Sequence, residues 1–187
     1  MGTIKTRLID TDVISNILKT LPKGTIKYEI NELENFRIVT SNIVEKEVRI
    51  LLRKIENGDT RGLRGKKVLT EETVSLWKQF KNVIEIKESI VDPSQLKNVG
   101  ERSLVNLLKR ADLKSRIVSN NREHVLKILK EEGINGNFLE TPFEFYEELG
   151  REWFRSRSET ILFMIFANHD FRILDKKYTG DILRYVH

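Results

Sequence analysis

The chain has 187 residues, 39% of them hydrophobic and 33% charged, enough to bury one sizeable core without covalent staples. It carries no cysteine, which excludes disulfides and thiolate metal sites, leaves oxygen and histidine as ligands, and makes an intracellular setting the default. A net charge of +5 with a pI near 9.3 mildly favours a polyanionic partner, and frequent Ile, Lys and Glu beside few Pro and Gly fit a rigid, ion-pair-rich protein.

In chain order, apolar runs of strand length alternate with segments of helical period. Strands are predicted at 6–9, 37–40 ("RIVT"), 83–86 ("VIEI"), 116–118 ("RIV") and 137–140 ("NFLE"). Helices are predicted near 11–20, 28–34, 42–56, 70–81, 100–112 and 121–132. This alternation predicts a three-layer α/β/α fold with a central parallel sheet. Gly133 stands where a helix closes, and Pro142 where the next opens.

From 142 onward the pattern turns helical and aromatic. Residues 1–141 are therefore expected to form the α/β domain, and 142–187 a helical extension packed on it or making an oligomer contact. Trp153, Phe154, Phe163 and Phe166 have the spacing of core or interface residues rather than of base-stacking ones. The stretch "ENGDTRGLRGKK" (56–67) reads as a basic loop, solvated by default, in which Arg61, Arg64, Lys66 and Lys67 are the candidates for RNA contacts.

Lys5, Arg7 and Asp10 interrupt any signal-peptide core, and the most apolar window, "ILFMIFA" (161–167), is far too short to span a bilayer. A cytoplasmic protein without a membrane partner is expected.

The informative residues are acids standing where apolar residues belong. In "RLIDTDVISN" (7–16), Asp10 and Asp12 follow the first strand as it gives way to a helix. In "SNIVEKEVRILLRKI" the apolar stripe is Ile43, Val44, Val48, Leu51, Leu52 and Ile55. Glu47 falls inside it; Glu45 and Arg49 fall outside. A carboxylate turned towards the core is costly unless something cationic meets it.

In "GERSLVNLLKRADL" the stripe is Leu104, Val105, Leu107, Leu108 and Ala111, and Glu101 heads it, held in the first helical turn at the rim of the sheet. The plainer reading of Glu101 is an acid favourably placed at a helix start. In "RIVSNNREHVLKIL", Ser119 reads as a cap, and Asn121 lies on the stripe of Val125 and Ile128. His124, one turn later, reads as a surface or locally bonded histidine. Lys109, Arg110, Lys114, Arg116 and Arg122 lie near this segment in sequence and divide evenly between phosphate contacts and a solvated basic face.

Asp10 ends a strand, Glu101 begins a helix, and Asn121 follows a strand at the next helix start. In open parallel sheets, ligands bind in the crevice beyond the carboxyl ends of the strands. Acids converging there with no Lys or Arg in the same stripes predict a divalent-ion site suited to Mg2+ or Mn2+.

These residues give the chain a family resemblance. "LIDTDVISNIL" (8–18), "TSNIVEKEV" (40–48), "VGERSLVNLL" (99–108) and "RIVSNNREHVLKILKEEGI" (116–134) together resemble, in order, the motifs of PIN-domain nucleases over roughly residues 6–140. The resemblance implies a parallel sheet between helices and cleavage of RNA with Mg2+ or Mn2+ held by a small set of acids. Carried over position by position, those acids are Asp10, Glu47 and Glu101, the three that the stripes select. At the fourth position the family usually has Asp, and this chain has Asn121.

An amide oxygen still coordinates an ion or orients a ligated water, but it cannot act as a base. The implied ribonuclease would then be of reduced activity, or the module non-catalytic, gripping RNA or a protein. Asp12, Ser119 and Asn120 are the supporting positions. RNA is the implied partner, with an inhibitor protein or a second copy of the chain left open.

The pair Asp10 and Asp12 after a strand is also similar to the first motif of haloacid-dehalogenase-like phosphatases, with Asp10 as nucleophile, Asp12 as general acid and "HDFRILD" (169–175) as the late acidic motif. Against it, Ile14 stands where that family usually has Thr or Val, and Glu47 and Glu101 would have no role.

Overall fold

Leu8 and Ile9 are almost wholly buried, as a strand covered on both faces requires. They belong to β1 (Lys5–Ile9), the middle strand of a five-stranded parallel sheet with β2 (Phe36–Ser41), β3 (Ile84–Lys87), β4 (Arg116–Val118) and β5 (Leu139–Glu140), in the order β3-β2-β1-β4-β5. The computed structural model describes residues 4–19, 33, 36–57, 71–92, 94, 97–154, 159–160, 163–164 and 167. Within them the helices are α1 (Thr11–Lys19), α2 (Asn42–Glu56), α3 (Glu71–Val83), α4 (Val99–Leu108), α5 (Arg122–Glu131) and α6 (Pro142–Trp153). They flank the sheet in the expected three-layer α/β/α arrangement.

The alternation in the sequence locates these elements to within a few residues, with two physical exceptions. Only the second half of "NFLE" pairs in the sheet. Asn135 accepts a hydrogen bond from the Asn137 N–H (2.8 Å), and Gly136–Phe138 winds into a 3-10 turn instead. The helix expected at 100–112 stops at Leu108, because Asp112 accepts from the Lys114 N–H (2.9 Å) and the Ser115 hydroxyl (3.1 Å) to make a turn, leaving Ala111 exposed. The helix expected at 28–34, apart from Leu33, and the loop at 58–67 lie outside the described residues.

Two punctuating residues stand as expected. Gly133, at φ 67°, follows α5 in the left-handed conformation that closes a helix, with the Ile134 N–H on the Leu129 carbonyl (2.8 Å). Pro142 opens α6, which Thr141 caps by accepting from the Glu144 N–H.

α6 buries Phe145, Tyr146 and Leu149 completely. Trp153 stands edge-on to Phe80 of α3 (5.8 Å) and to Phe163 (5.9 Å), and Phe154 is buried with them, so these aromatics serve the core. Phe166 and residues 168–187 lie outside the described residues.

Candidate functional site

The strand order creates the site. The chain steps from β1 outward to β2 and β3, then returns to the other side of β1 with β4 and β5. Where the order reverses, between β1 and β4, a crevice opens at the carboxyl ends of the strands. Ile9 pairs in register with Val118, so the next residues along, Asp10 and Ser119, meet at that crevice.

Asp10 is 6% exposed. Its Oδ1 accepts from the Val13 N–H (2.8 Å), which starts α1, and its Oδ2 accepts from the Ser119 hydroxyl. Asp10 is thus a helix cap with its second oxygen held across the switch point. Burial pushes its pKa from 3.8 up to about 7; the bonds from Ser119 and Val13 pull it down, and the charges of Asp12 and Glu101 push it up. Asp12 itself is exposed in the first turn of α1.

Glu47 reaches the same crevice from α2. Its Oε2 accepts from the Thr11 hydroxyl (2.5 Å), and both carboxylate oxygens lie over Gly100 of α4. The residue as a whole is open to solvent, but its carboxylate is wedged between α1 and α4, and desolvation there raises its pKa, with Glu101 and Asp12 adding to the rise. The placement is held by serines. Ser41 Oγ accepts from the Val44 N–H (3.0 Å) at the start of α2 and meets Ser103 Oγ of α4 at 2.6 Å. Ser89 donates to the Ser103 carbonyl (2.9 Å). The first turns of α2 and α4 are therefore tied together, and with them Glu47 and Glu101.

Glu101, half-buried, accepts through Oε1 from Asn121 Nδ2 (2.6 Å), and the same Nδ2 lies 2.7 Å from His124 Nδ1. Asn120 is exposed and hydrogen-bonds the wholly buried Tyr146 hydroxyl of α6, which Asn16 also contacts (3.3 Å). Burial raises the pKa of Tyr146.

The structure changes four expectations. Within α2 the buried acid is Glu45, not Glu47. Glu45 lies on the flank facing α3, with Lys81 (3.1 Å) and Arg49 (2.5 Å) compensating its charge, while Glu47 lies on the opposite flank facing α1 and α4. Periodicity locates the centre of a stripe, but the neighbouring helices decide how far each flank is covered.

Second, Ser119 does not cap α5. It accepts from the Asn121 N–H (3.0 Å) and donates to Asp10, while Asn121 itself holds the cap position without a side-chain cap bond. Third, Asn121 is half-buried at the crevice rather than packed in the stripe of Val125, Ile128 and Leu129.

The fourth change concerns the basic residues. Lys109, Arg110, Lys114 and Arg116 lie on the connection into β4, at the amino end of the strand, because helix and strand run oppositely. Of that group only Arg122, exposed at the start of α5, stands beside the crevice. Lys109 pairs with Glu132 (2.5 Å), and Arg116 lies over the Phe138 ring. Arg61, Arg64, Lys66, Lys67 and the stretch 169–175 lie outside the described residues.

Sequence reasoning missed a second concavity at that amino end. This groove, about 650 Å3, is lined by Lys5, Arg7, Arg116, Glu140, Glu147 and Arg151 among others. Its charges largely pair with one another. Arg7 bridges Glu140 and Glu148, Lys5 meets Glu148 (3.2 Å), and Arg151 meets Glu147 (2.5 Å). The signal for it was Arg7, a charged residue inside a buried strand.

The donor set at the crevice can be tested against a divalent ion. Among the described residues, no three His, Asp or Glu side chains stand close enough to form a ready-made ligand group. Among the described residues also, no Lys or Arg pairs with Asp10, Asp12, Glu47 or Glu101, and the pKa values of Asp10 and Glu47 are raised partly by the other acids. A hard ion that keeps several of its waters and takes one or two carboxylates directly suits such a loose, all-oxygen, uncompensated set. Comparison with protein-family models gives no match, and comparison with curated proteins gives none either. No described helix is long and apolar enough to cross a membrane.

Proposed function

We propose that the chain is a metal-dependent ribonuclease of PIN type that hydrolyses a phosphodiester of RNA with Mg2+ or Mn2+. One observation carries this reading: Asp10, Glu47 and Glu101 face one crevice at the carboxyl ends of the strands, the charge of Glu101 acting on both Asp10 and Glu47, with no cationic side chain among the described residues to compensate them. Acids left in that state favour a cation.

Asp10, Glu47 and Glu101 would hold the ion, one or two of them directly and the rest through its waters. Ser119 orients the Asp10 carboxylate, Thr11 that of Glu47, and Asn121 that of Glu101. When bound, the ion supplies Lewis acidity towards the phosphodiester and activates water. Arg122, exposed at the start of α5 beside the crevice, is the candidate for a phosphate contact. With Asn121 in place of a fourth acid the site carries less negative charge, so the reading includes weak ion binding and slow turnover. A cytoplasmic location belongs to the same proposal.

The test is cleavage of single-stranded RNA in Mn2+ by Asp10→Asn and Glu101→Gln variants. Both are expected to lose cleavage while keeping the circular dichroism of the parent. Cleavage unchanged in both overturns the assignment.

A second reading is favoured by the Asn121–Glu101 hydrogen bond. An amide donating at 2.6 Å already satisfies one Glu101 oxygen, as suits a non-catalytic PIN-like module that binds RNA or a protein. RNA retained by the parent protein without cleavage in any divalent ion would favour it.

A further inference from the structure

Like charges three and four apart on a helix repel, so a face that meets only water intersperses acids with its bases. α5 does so: Glu123 and Glu131 stand exposed among Arg122, Lys127 and Lys130. The outer face of α2 does not. Ile43, Lys46, Ile50 and Arg53 follow one another down it at steps of three and four, and Lys54 lies four after Ile50. Ile43 is half-buried and the other four are exposed.

Among the described residues no carboxylate pairs with Lys46, Arg53 or Lys54, whereas Arg49 and Lys81, on the other flank, both meet Glu45. The helix dipole accounts for bases in the last turn, where Arg53 and Lys54 stand, but not for Lys46 near the amino end. Between them Ile50 is 47% exposed. The one acid on the edge of this stripe is Glu47, three before Ile50, and its carboxylate turns away, over Gly100 and onto the Thr11 hydroxyl. The stripe therefore begins where the acid crevice ends.

We infer that the outer face of α2 is the surface along which a single strand of RNA leaves the crevice, with Lys46, Arg53 and Lys54 meeting its phosphates. This path presupposes the RNA substrate proposed above and assigns the surface that holds it. The acids of the crevice repel phosphates, so attraction for the strand has to come from cations outside them. Lys46 and Arg53 are seven residues apart, about 10 Å along the helix axis, so they engage separate phosphates. Ile50 offers apolar surface to a ribose or base between them, which a single strand exposes and a duplex stacks inside.

Binding of a fluorescent oligouridylate in EDTA, read by anisotropy over a series of salt concentrations, tests the surface with no ion present and no cleavage. The triple variant Lys46→Gln, Arg53→Gln, Lys54→Gln is expected to lose at least about tenfold in affinity at low salt. The slope of log affinity against log salt is expected to shrink by about 2, at about 0.7 for each phosphate contact. Ile50→Ala is expected to weaken binding at least about threefold with the slope unchanged. The triple variant Lys78→Gln, Lys127→Gln, Lys130→Gln removes the same charge from exposed positions on α3 and α5 and is expected to keep the parent's slope.

Equal losses in the two triple variants, an unchanged slope in the α2 variant, or no binding by the parent overturns the inference. So does a parent dimer that Ile50→Asp dissociates in sedimentation with RNA affinity unchanged, since the face would then join two copies of the chain.

The two readings fail separately. RNA affinity that depends on the α2 cations, without cleavage in any divalent ion, leaves the surface standing and removes the nuclease. Cleavage that depends on Asp10, with affinity indifferent to the α2 cations, does the reverse.

Discussion

A Cβ on Gly100 would stand 3.1 Å from both carboxylate oxygens of Glu47. A side chain at this position would push the Glu47 carboxylate, by a few tenths of an ångström, from its place between Gly100 and the Thr11 hydroxyl. The glycine before Glu101 thus creates space for an acid more than fifty residues earlier in the chain.

Gly100→Ala should therefore separate stability from ion binding. Alanine is the better helix former, and Glu47 moves easily, so stability should stay within about 1 kcal/mol of the parent. Mn2+ affinity should fall by about tenfold as the carboxylate is displaced from Thr11. Titration calorimetry beside thermal denaturation checks both, and unchanged Mn2+ affinity would show that Glu47 does not contribute from this position.

The raised pKa of Asp10 has a definite sign in stability. Its folded value of about 7 lies above the ordinary 3.8, so between these pH values the unfolded chain releases a proton that the folded protein keeps. Stability of the metal-free protein should fall as pH rises through this window and level off above it. Asp10→Asn cannot ionise, so it should abolish this component and be the more stable protein at pH 8, by an amount on the order of a few kcal/mol. Urea denaturation between pH 5 and pH 8 measures this, and parallel pH profiles for parent and variant would contradict it.

Asn121→Asp should act in opposite directions with and without ion. In the metal-free protein the new carboxylate replaces a donor 2.6 Å from Glu101 Oε1, so stability should drop by about 1–3 kcal/mol. With Mn2+ present the added charge should tighten binding and recover the loss. Calorimetry showing no change in affinity would place Asn121 outside the ion's reach.

Arg7 supplies a control at the other end of the sheet. Its side chain is 5% exposed and pairs with Glu140 and Glu148; Glu140 is itself held up in pKa by burial, with Arg7 pulling it down. Arg7→Ala strands Glu140 without a counter-charge and should cost about 3–5 kcal/mol. Mn2+ affinity measured well below the melting temperature should not change, because the crevice lies beyond the opposite ends of the strands. A parallel loss of affinity would show that the two ends are coupled.

The sequence alone determined the layer architecture, because alternation of short apolar runs with helical periods is a local signal. Leu8 and Ile9 have to be buried on both faces whatever the rest of the chain does. Gly133 and Pro142 likewise carry their conformational preferences with them. The sequence also singled out Asp10 by its place at a strand end, and Glu47, Glu101 and Asn121 as polar residues where the period calls for apolar ones, although Glu47 and Asn121 stand beside the crevice rather than packed in those stripes.

The surroundings of those residues depended on contacts between segments distant in the chain. Only the β1–β4 register brings Ser119 to Asp10 rather than to the α5 cap. The packing of α3 against one flank of α2 makes Glu45 the buried acid, compensated by Lys81. The convergence of Glu101 and His124 on one amide needs α4 and α5 side by side. Periodicity records which way a side chain points from its own axis, and the neighbouring element decides what it meets there.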